Sequence, residues 1–303
     1  MRPAGLAARI GSVSEIAVPA PACAAAPVVV IEPARGWGAL RLADLWEYRE
    51  LLYFLVWRDV KVRYRQTALG AAWAIIQPLA TALVFTLFFG RLAGMPSDGL
   101  PYPLFSFAGL VAWTFFAQGV QQSAASVVGS ANLITKVYFP RLVIPVAAVL
   151  TGLLDLAVTL PVLAVMMAFY RRTPGAAALA LPLVLILALA ATIGVGLWLS
   201  ALYVKFRDVR YVVLFLVQLW LFVTPVIYPA SSVAPALARY GLPAWVLGLN
   251  PMAGVVEGFR WALLGTSGPP VGLAAASTAV AAALCVSGAL FFRHVERSFA
   301  DVV

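Results

Sequence analysis

Charge is scarce in this sequence. Only 11% of its 303 residues are Asp, Glu, Lys or Arg, against about 25% in ordinary globular domains. So few charges could not cover a water-soluble fold, and the apolar content excludes a disordered chain. Cysteine is nearly absent. Cys23 lies in a Pro/Ala-rich stretch and Cys285 in an apolar run, so neither a disulfide framework nor a thiolate metal site can be built. The single histidine, His294, stands beside Arg293 with no second His or Cys nearby, which makes it a surface residue rather than a metal ligand. Lysine occurs only as Lys61, Lys136 and Lys205, never after a glycine. The G-x4-G-K-[ST] loop is therefore missing, and with it that way of binding ATP. No G-x-S-x-G elbow and no H-E-x-x-H pair occurs. The acids Asp98, Asp155, Asp208 and Glu257 fall in separate segments, so no paired-carboxylate site is expected. Nothing here supports an enzyme active site.

What the sequence has is apolar length. Hydrophobic residues make up 63% and the mean hydropathy is +0.96. A membrane span needs about 20 apolar residues at a rise of about 1.5 Å each. Stretches 66–90, 99–135, 173–204, 211–238 and 261–292 carry no charge, and 142–170 carries one, Asp155. Pro269 and Pro270 shorten the last stretch. The pattern predicts an all-α integral membrane protein. Its six transmembrane helices are expected at about 67–90, 104–128, 143–170, 176–203, 211–228 and 270–292. The net charge is +9. No basic soluble domain exists to carry it, so nucleic acid is not an expected partner. The cations mark span ends instead. With the N-terminus in the cytoplasm, that side holds Arg58, Lys61, Arg63, Arg65, Lys136, Arg141, Lys205, Arg207, Arg210, Arg293 and Arg297, while the other holds Arg91, Arg171, Arg172, Arg239 and Arg260. The bias places both termini in the cytoplasm.

Residues 1–35 read as a disordered cytoplasmic tail, because Pro19, Pro21 and Pro27 interrupt the apolar stretch a signal peptide would need. Residues 36–66 read as an interface helix and a basic cluster. Asp44 can cap that helix with Glu47 as the acid of a capping box. Leu45, Trp46, Leu52 and Tyr53 share one side, as in an amphipathic helix lying in the membrane surface. Trp57 through Arg65 mixes rings and cations that suit the headgroup layer. Residues 67–303 then form the six-span domain. Between the fifth and sixth spans, 240–256 is uncharged but broken by Pro243, Asn250 and Pro251. Short re-entrant or periplasmic helices are expected there, and irregular backbone at membrane depth points to a pathway or gate. Asp155, mid-span, is a functional candidate by position, as a proton relay or as the partner of an Arg on another helix. Glu257 and Arg260 are spaced to pair on a helix. The rings Trp73, Phe85, Phe88, Tyr211, Phe215, Trp220 and Phe222 are candidates to line a conduit, since the apolar face of a pyranose stacks on an aromatic ring.

The run LVWRDVKVRYRQTALGAAWAIIQP at 55–78 closely resembles the start of the permease subunits of bacterial ABC-2 polysaccharide exporters, of the O-antigen, capsule and teichoic-acid kind. Further matches follow in order: Phe88-Phe-Gly-Arg91, Lys136-Val-Tyr-Phe-Pro-Arg141, Phe206-Arg-Asp-Val209, Thr224-Pro-Val-Ile-Tyr-Pro229, Leu249-Asn-Pro251 and Glu257-Gly-Phe-Arg260. The resemblance covers about residues 36–303 and leaves out the tail. It implies the ABC-2 permease fold, a homodimer in the bacterial inner membrane, and two separate nucleotide-binding ATPase subunits that bind Mg-ATP, with no cofactor in this chain. The substrate it implies is polysaccharide on undecaprenyl diphosphate, most like O-antigen. On this reading Asp44, Glu47, Lys136, Arg207 and Asp208 contact the ATPase. Arg58, Lys61, Arg63 and Arg65 attract the lipid diphosphate at the entrance, and also meet anionic membrane lipids. Pro229, Trp245, Asn250 and Pro251 belong to an outer gate. The rival readings are a secondary transporter, which would lean on Asp155, and an ABC-2 exporter of a non-glycan substrate.

Overall fold

Two long helices rich in small and branched apolar residues, α3 (Tyr102–Gly129) and α4 (Val143–Phe169), form the centre of the bundle. The computed structural model describes residues 46–65, 70–137, 139–266, 268 and 270–296. Among the described residues every regular element is helical. In chain order the other long helices are α1 (Arg49–Arg65), α2 (Gly70–Phe85), α5 (Leu181–Lys205), α6 (Val209–Val223), α7 (Ala230–Arg239), α8 (Pro251–Leu264) and α9 (Val271–Glu296), with a single helical turn at Ala131–Ile134. The expectations for residues 1–35 and for Asp44 lie outside the described residues.

Among the described residues, five segments are long and apolar enough to cross a membrane: Ala72–Leu92, Tyr102–Gly129, Val143–Phe169, Ala176–Lys205 and Val271–Glu296. The chain is a multi-pass membrane protein. The remaining apolar helix, α6, has 15 residues, a length of about 22 Å. Composition alone suggests an unbroken run from 211 to 238. The structure breaks it twice, because the Thr224-Pro225 pair ends α6 and Pro229 starts α7. The region from there to α9 contains α7, a 3-10 turn at Ala244–Leu249 and α8. Gly265, at φ 64°, ends α8 in the left-handed conformation that favours glycine.

The helices pack through small residues, as expected where no water drives association. At Gly194 of α5 an added Cβ would stand 2.8 Å from the backbone nitrogen of Cys285 and 2.9 Å from the carbonyl carbon of Leu284 on α9. At Gly288 of α9 it would meet the Gly194 carbonyl at 2.8 Å. The two backbones therefore approach as closely as glycine permits. By contrast α2 and α6 bury little of their surface. Trp73, Leu83 and Val84 of α2 are exposed, as are Leu87 and Phe88 just beyond it and Tyr211, Leu214, Phe215, Leu219 and Phe222 of α6. Beyond Phe85 the chain of α2 widens into a π-helix, Thr86–Leu92.

One end of the bundle has its own apolar cluster. Leu55 of α1, Val127 of α3, Val143 and Ala147 of α4, Ala201 and Val204 of α5, and Phe292 of α9 meet there. It corrects the side of α1 expected to be apolar. Leu55 is buried, and Tyr48, Leu51, Leu52 and Val56 pack around it, whereas Trp46 and Tyr53 are exposed. The helix thus lies against the bundle, and its contact with α4 runs from Leu55 up to Arg63.

Candidate functional site

The most ordered polar arrangement sits at the end of the bundle away from α1. Arg260 of α8 is fully buried. It donates from Nη1 to the Pro225 carbonyl at 2.6 Å, from Nη2 to the Val226 carbonyl at 2.6 Å and from Nε to the Phe105 carbonyl at 3.3 Å. Its guanidinium lies 3.6 Å from the centre of the Phe105 ring, a cation–π contact. Glu257, one turn earlier, pairs with Nη1 at 3.3 Å and accepts from the Ala230 amide at 2.9 Å. Tyr102 donates to the Ile227 carbonyl at 2.8 Å. The segment between α6 and α7 has no helical bonds of its own, so these three side chains satisfy backbone groups that burial would otherwise leave unpaired. Gly109 makes room, since a Cβ there would stand 2.5 Å from Nη2 of Arg260.

Asn250 closes the same region from its other side. Its Oδ1 caps α8 by accepting from the Met252 amide at 3.1 Å, and accepts from the Trp220 indole N–H at 3.0 Å. Its Nδ2 donates to the Thr224 hydroxyl at 2.9 Å. Ser277 of α9 donates to the Asn250 and Gly248 carbonyls and accepts from the Gly254 amide. Of the four residues expected at an outer gate, Asn250 and Pro251 open α8, and Pro229 precedes α7, whose first amide is held by Glu257. Trp245 stays exposed on the 3-10 turn. Arg260, placed by sequence among outside loop charges, is instead the centre of the arrangement. Its signals in the sequence are its three-residue spacing from Glu257 and its place in the Glu257-Gly-Phe-Arg260 match. Tyr102, Trp220 as a hydrogen-bond donor, and Thr224 carried none.

The four cations expected at a lipid-diphosphate entrance are not gathered. Arg58 pairs with Asp59 at 2.8 Å, Lys61 lies 5.3 Å from the Trp57 ring centre, and Arg65 is exposed. Arg63 points into the bundle, where it pairs with Asp155 of α4 and donates to Gln122 of α3. Arg63 is thus engaged inside the bundle rather than gathered with the other cations, and Asp155 takes the second of its two expected roles, partner of an Arg on another helix. Leu55 and Arg63, two turns apart, share the inner side of α1, which is why a cation ends up facing inward.

Glu47, Lys136, Arg207 and Asp208 are exposed at the end of the bundle where α1 packs. The candidate conduit rings divide. Trp73, Phe88, Tyr211, Phe215 and Phe222 are exposed. Phe85 is buried and packs edge-on against Phe89 at 5.4 Å, which corrects its placement. Trp220 is half-buried, edge-on to Phe116 at 5.1 Å, with its N–H on Asn250. Among the described residues no group of three or more His, Cys, Asp and Glu could hold a metal ion.

A bundle of apolar helices with buried polar braces and two bare helices fits a membrane transport subunit. The ABC-2 type transporter family matches residues 50–264. The O-antigen export system permease protein RfbA of Myxococcus xanthus is 31% identical over 260 residues, covering 86% of this chain and 98% of that protein. Two proteins of the same description from Klebsiella pneumoniae are 29% and 28% identical, each over 70% of this chain and 79% of the relative. The chain belongs to the ABC-2 type transporter family.

Proposed function

We propose that this chain is the membrane subunit of an ATP-driven exporter that moves O-antigen, carried on undecaprenyl diphosphate, across the bacterial inner membrane. The observation that carries this reading is the match over 98% of the length of the Myxococcus xanthus O-antigen export permease. Two copies form the pathway and two ATPase subunits, each binding Mg-ATP, dock at the α1 end. That end faces the cytoplasm and holds both termini. Glu47, Lys136, Arg207 and Asp208, with Asp44, contact the ATPase there. Arg58, Lys61 and Arg65 attract the lipid diphosphate. The fifth span in chain order, which brings the number to six, is α6 together with the buried turn after Thr224. Residues 1–35 are a cytoplasmic tail, 36–66 the interface helix with its basic cluster, and 67–303 the six-span domain.

In this mechanism the chain does no bond chemistry. ATP hydrolysis belongs to the partner subunit, and the permease converts its motion into a pathway. The α7-to-α8 region forms the outer gate, with Glu257 and Arg260 holding its backbone to α8. The pairing of Asp155 with Arg63 removes the lone intramembrane acid on which a proton-coupled transporter would depend. Purification from the native membrane in mild detergent tests the reading. A co-purifying P-loop ATPase in equal amount, and loss of surface O-antigen on deletion of this chain, are expected. A chain that purifies alone and transports without ATP would overturn it.

A further inference from the structure

Helix α7 has 10 residues and fully buries none of them, so its position rests on few contacts. Two carboxylates from other elements reach its first turn. Glu257 of α8 accepts from the Ala230 amide at 2.9 Å, and Asp98 accepts from the Ser231 hydroxyl at 2.7 Å. Negative groups suit a helix start, where free amides point outward. The two ties differ in their surroundings. Glu257 is buried and locked to Arg260, whereas Asp98 and Ser231 are both exposed. An exposed hydrogen bond exchanges readily for bonds to water, so the Asp98 tie is the one that can open.

Local sequence puts Asp98 in place. Asp98 and Gly99 have φ of 50° and 72°, and the Leu100 amide donates to the Ser97 carbonyl at 3.0 Å. Two left-handed central residues closed by that bond make a type I′ turn, for which Asp-Gly is a favoured pair. Ser97 donates back to the Leu100 carbonyl at 2.6 Å, and Leu100 is buried, so the turn is a firm mount. The same loop begins at the π-helix Thr86–Leu92, where the Met95 amide donates to the Phe89 carbonyl at 2.9 Å. Gly90 of that π-helix lies against the Tyr102 ring, and an added Cβ would stand 2.8 Å from the ring's Cγ. Tyr102 in turn holds the Ile227 carbonyl. The segment that extends α2 thus bears on the break between α6 and α7 through Tyr102, and on α7 itself through Asp98. Helices kink at π-helical segments. We infer that Asp98 is the latch of the outer gate: its carboxylate holds α7 closed over the resting pathway, and a tilt of the π-helical end of α2 draws it off Ser231 and frees α7. Asp98 acts as a positioning residue, through α7. The inference deepens the exporter reading with its outer gate, and rests on it.

The test uses the assembled exporter in proteoliposomes. The first readout is efflux of trapped chloride without ATP. Asp98→Gly removes the carboxylate and keeps the left-handed backbone, and Ser231→Ala removes its donor. Each should raise the resting leak about fivefold, the size of one net hydrogen bond. The double variant should leak no faster than either single one, because both remove the same bond. Asp98→Asn keeps an acceptor oxygen and tolerates a positive φ, so it should stay close to wild-type tightness. The second readout is glycan export by Asp98→Cys/Ser231→Cys, in a Cys23→Ser/Cys285→Ala background, joined by a short bifunctional methanethiosulfonate. Export should stop while ATP hydrolysis continues, and return on reduction. Leak at the wild-type rate in both Asp98→Gly and Ser231→Ala would overturn the latch, as would equal leak in Asp98→Asn and Asp98→Gly. Full export by the fully crosslinked sample would overturn it too. A wild-type complex that hydrolyses ATP without exporting glycan would overturn the exporter reading, and this inference with it, whatever the leak.

Discussion

Arg260 shows how a single side chain can substitute for secondary structure. It supplies donors to two carbonyls that no helix satisfies, those of Pro225 and Val226, and a third to the Phe105 carbonyl of α3, and Glu257 balances its charge while fixing the start of α7. Removing one member of a buried pair leaves the other charge unpaired. Arg260→Leu is therefore expected to cost about 3–5 kcal/mol, read as a large fall in thermal unfolding temperature in detergent. Glu257→Gln should cost less, because its amide oxygen can still accept from Ala230. Equal stability of Arg260→Leu and wild type would show that the turn does not need its brace. At Arg63 and Asp155 a double-alanine cycle should give a coupling of roughly 0.5–3 kcal/mol. Additive losses would mean that the two residues act separately.

At the scale of elements, two joints decide how the helices are held. Asn250 caps α8 and also ties it to Trp220 and Thr224 at the end of α6. Asn250→Ala should cost about 1 kcal/mol as a lost cap. It should also weaken the link between α6 and α8, measured as faster amide exchange at 224–229. An unchanged exchange pattern would restrict Asn250 to capping. The crossing of α5 and α9 depends on Gly194 and Gly288. Gly194→Val would force backbones apart rather than a flexible side chain, so overpacking of about 1–3 kcal/mol or more is expected. Wild-type stability in that variant would contradict the close approach. The hydrophobic runs predicted where α3, α4, α5 and α9 lie, since each is an uninterrupted stretch longer than a bilayer needs. They did not predict α7, because 211–238 is uncharged throughout and only two of its three prolines, Pro225 and Pro229, divide it.

At the scale of the molecule, the exposed charges and the bare helices point to partners. Replacing Arg207 and Asp208 together by alanine is expected to leave insertion and ATP binding intact while uncoupling ATP hydrolysis from glycan export. Normal export in that variant would remove the α5–α6 turn from the coupling surface. Crosslinking Trp245→Cys across a dimer should block export in proportion to the fraction crosslinked, if the outer helices move as a gate. Full activity after complete crosslinking would make them a static cover.

The sequence by itself determined that this is a helical membrane protein without an ATP site of the P-loop kind, because hydropathy, charge scarcity and motif absence are properties of composition and local order. It also carried the family, through motifs spread over most of the chain. Only the tertiary structure decided that Arg63 turns inward to Asp155, that Phe85 is core rather than conduit, and that Arg260 braces the break between α6 and α7. Each of those depends on which helix lies opposite. A charge or a ring reads the same in sequence whether it meets lipid, water or a carbonyl brought near from a residue 35 positions away.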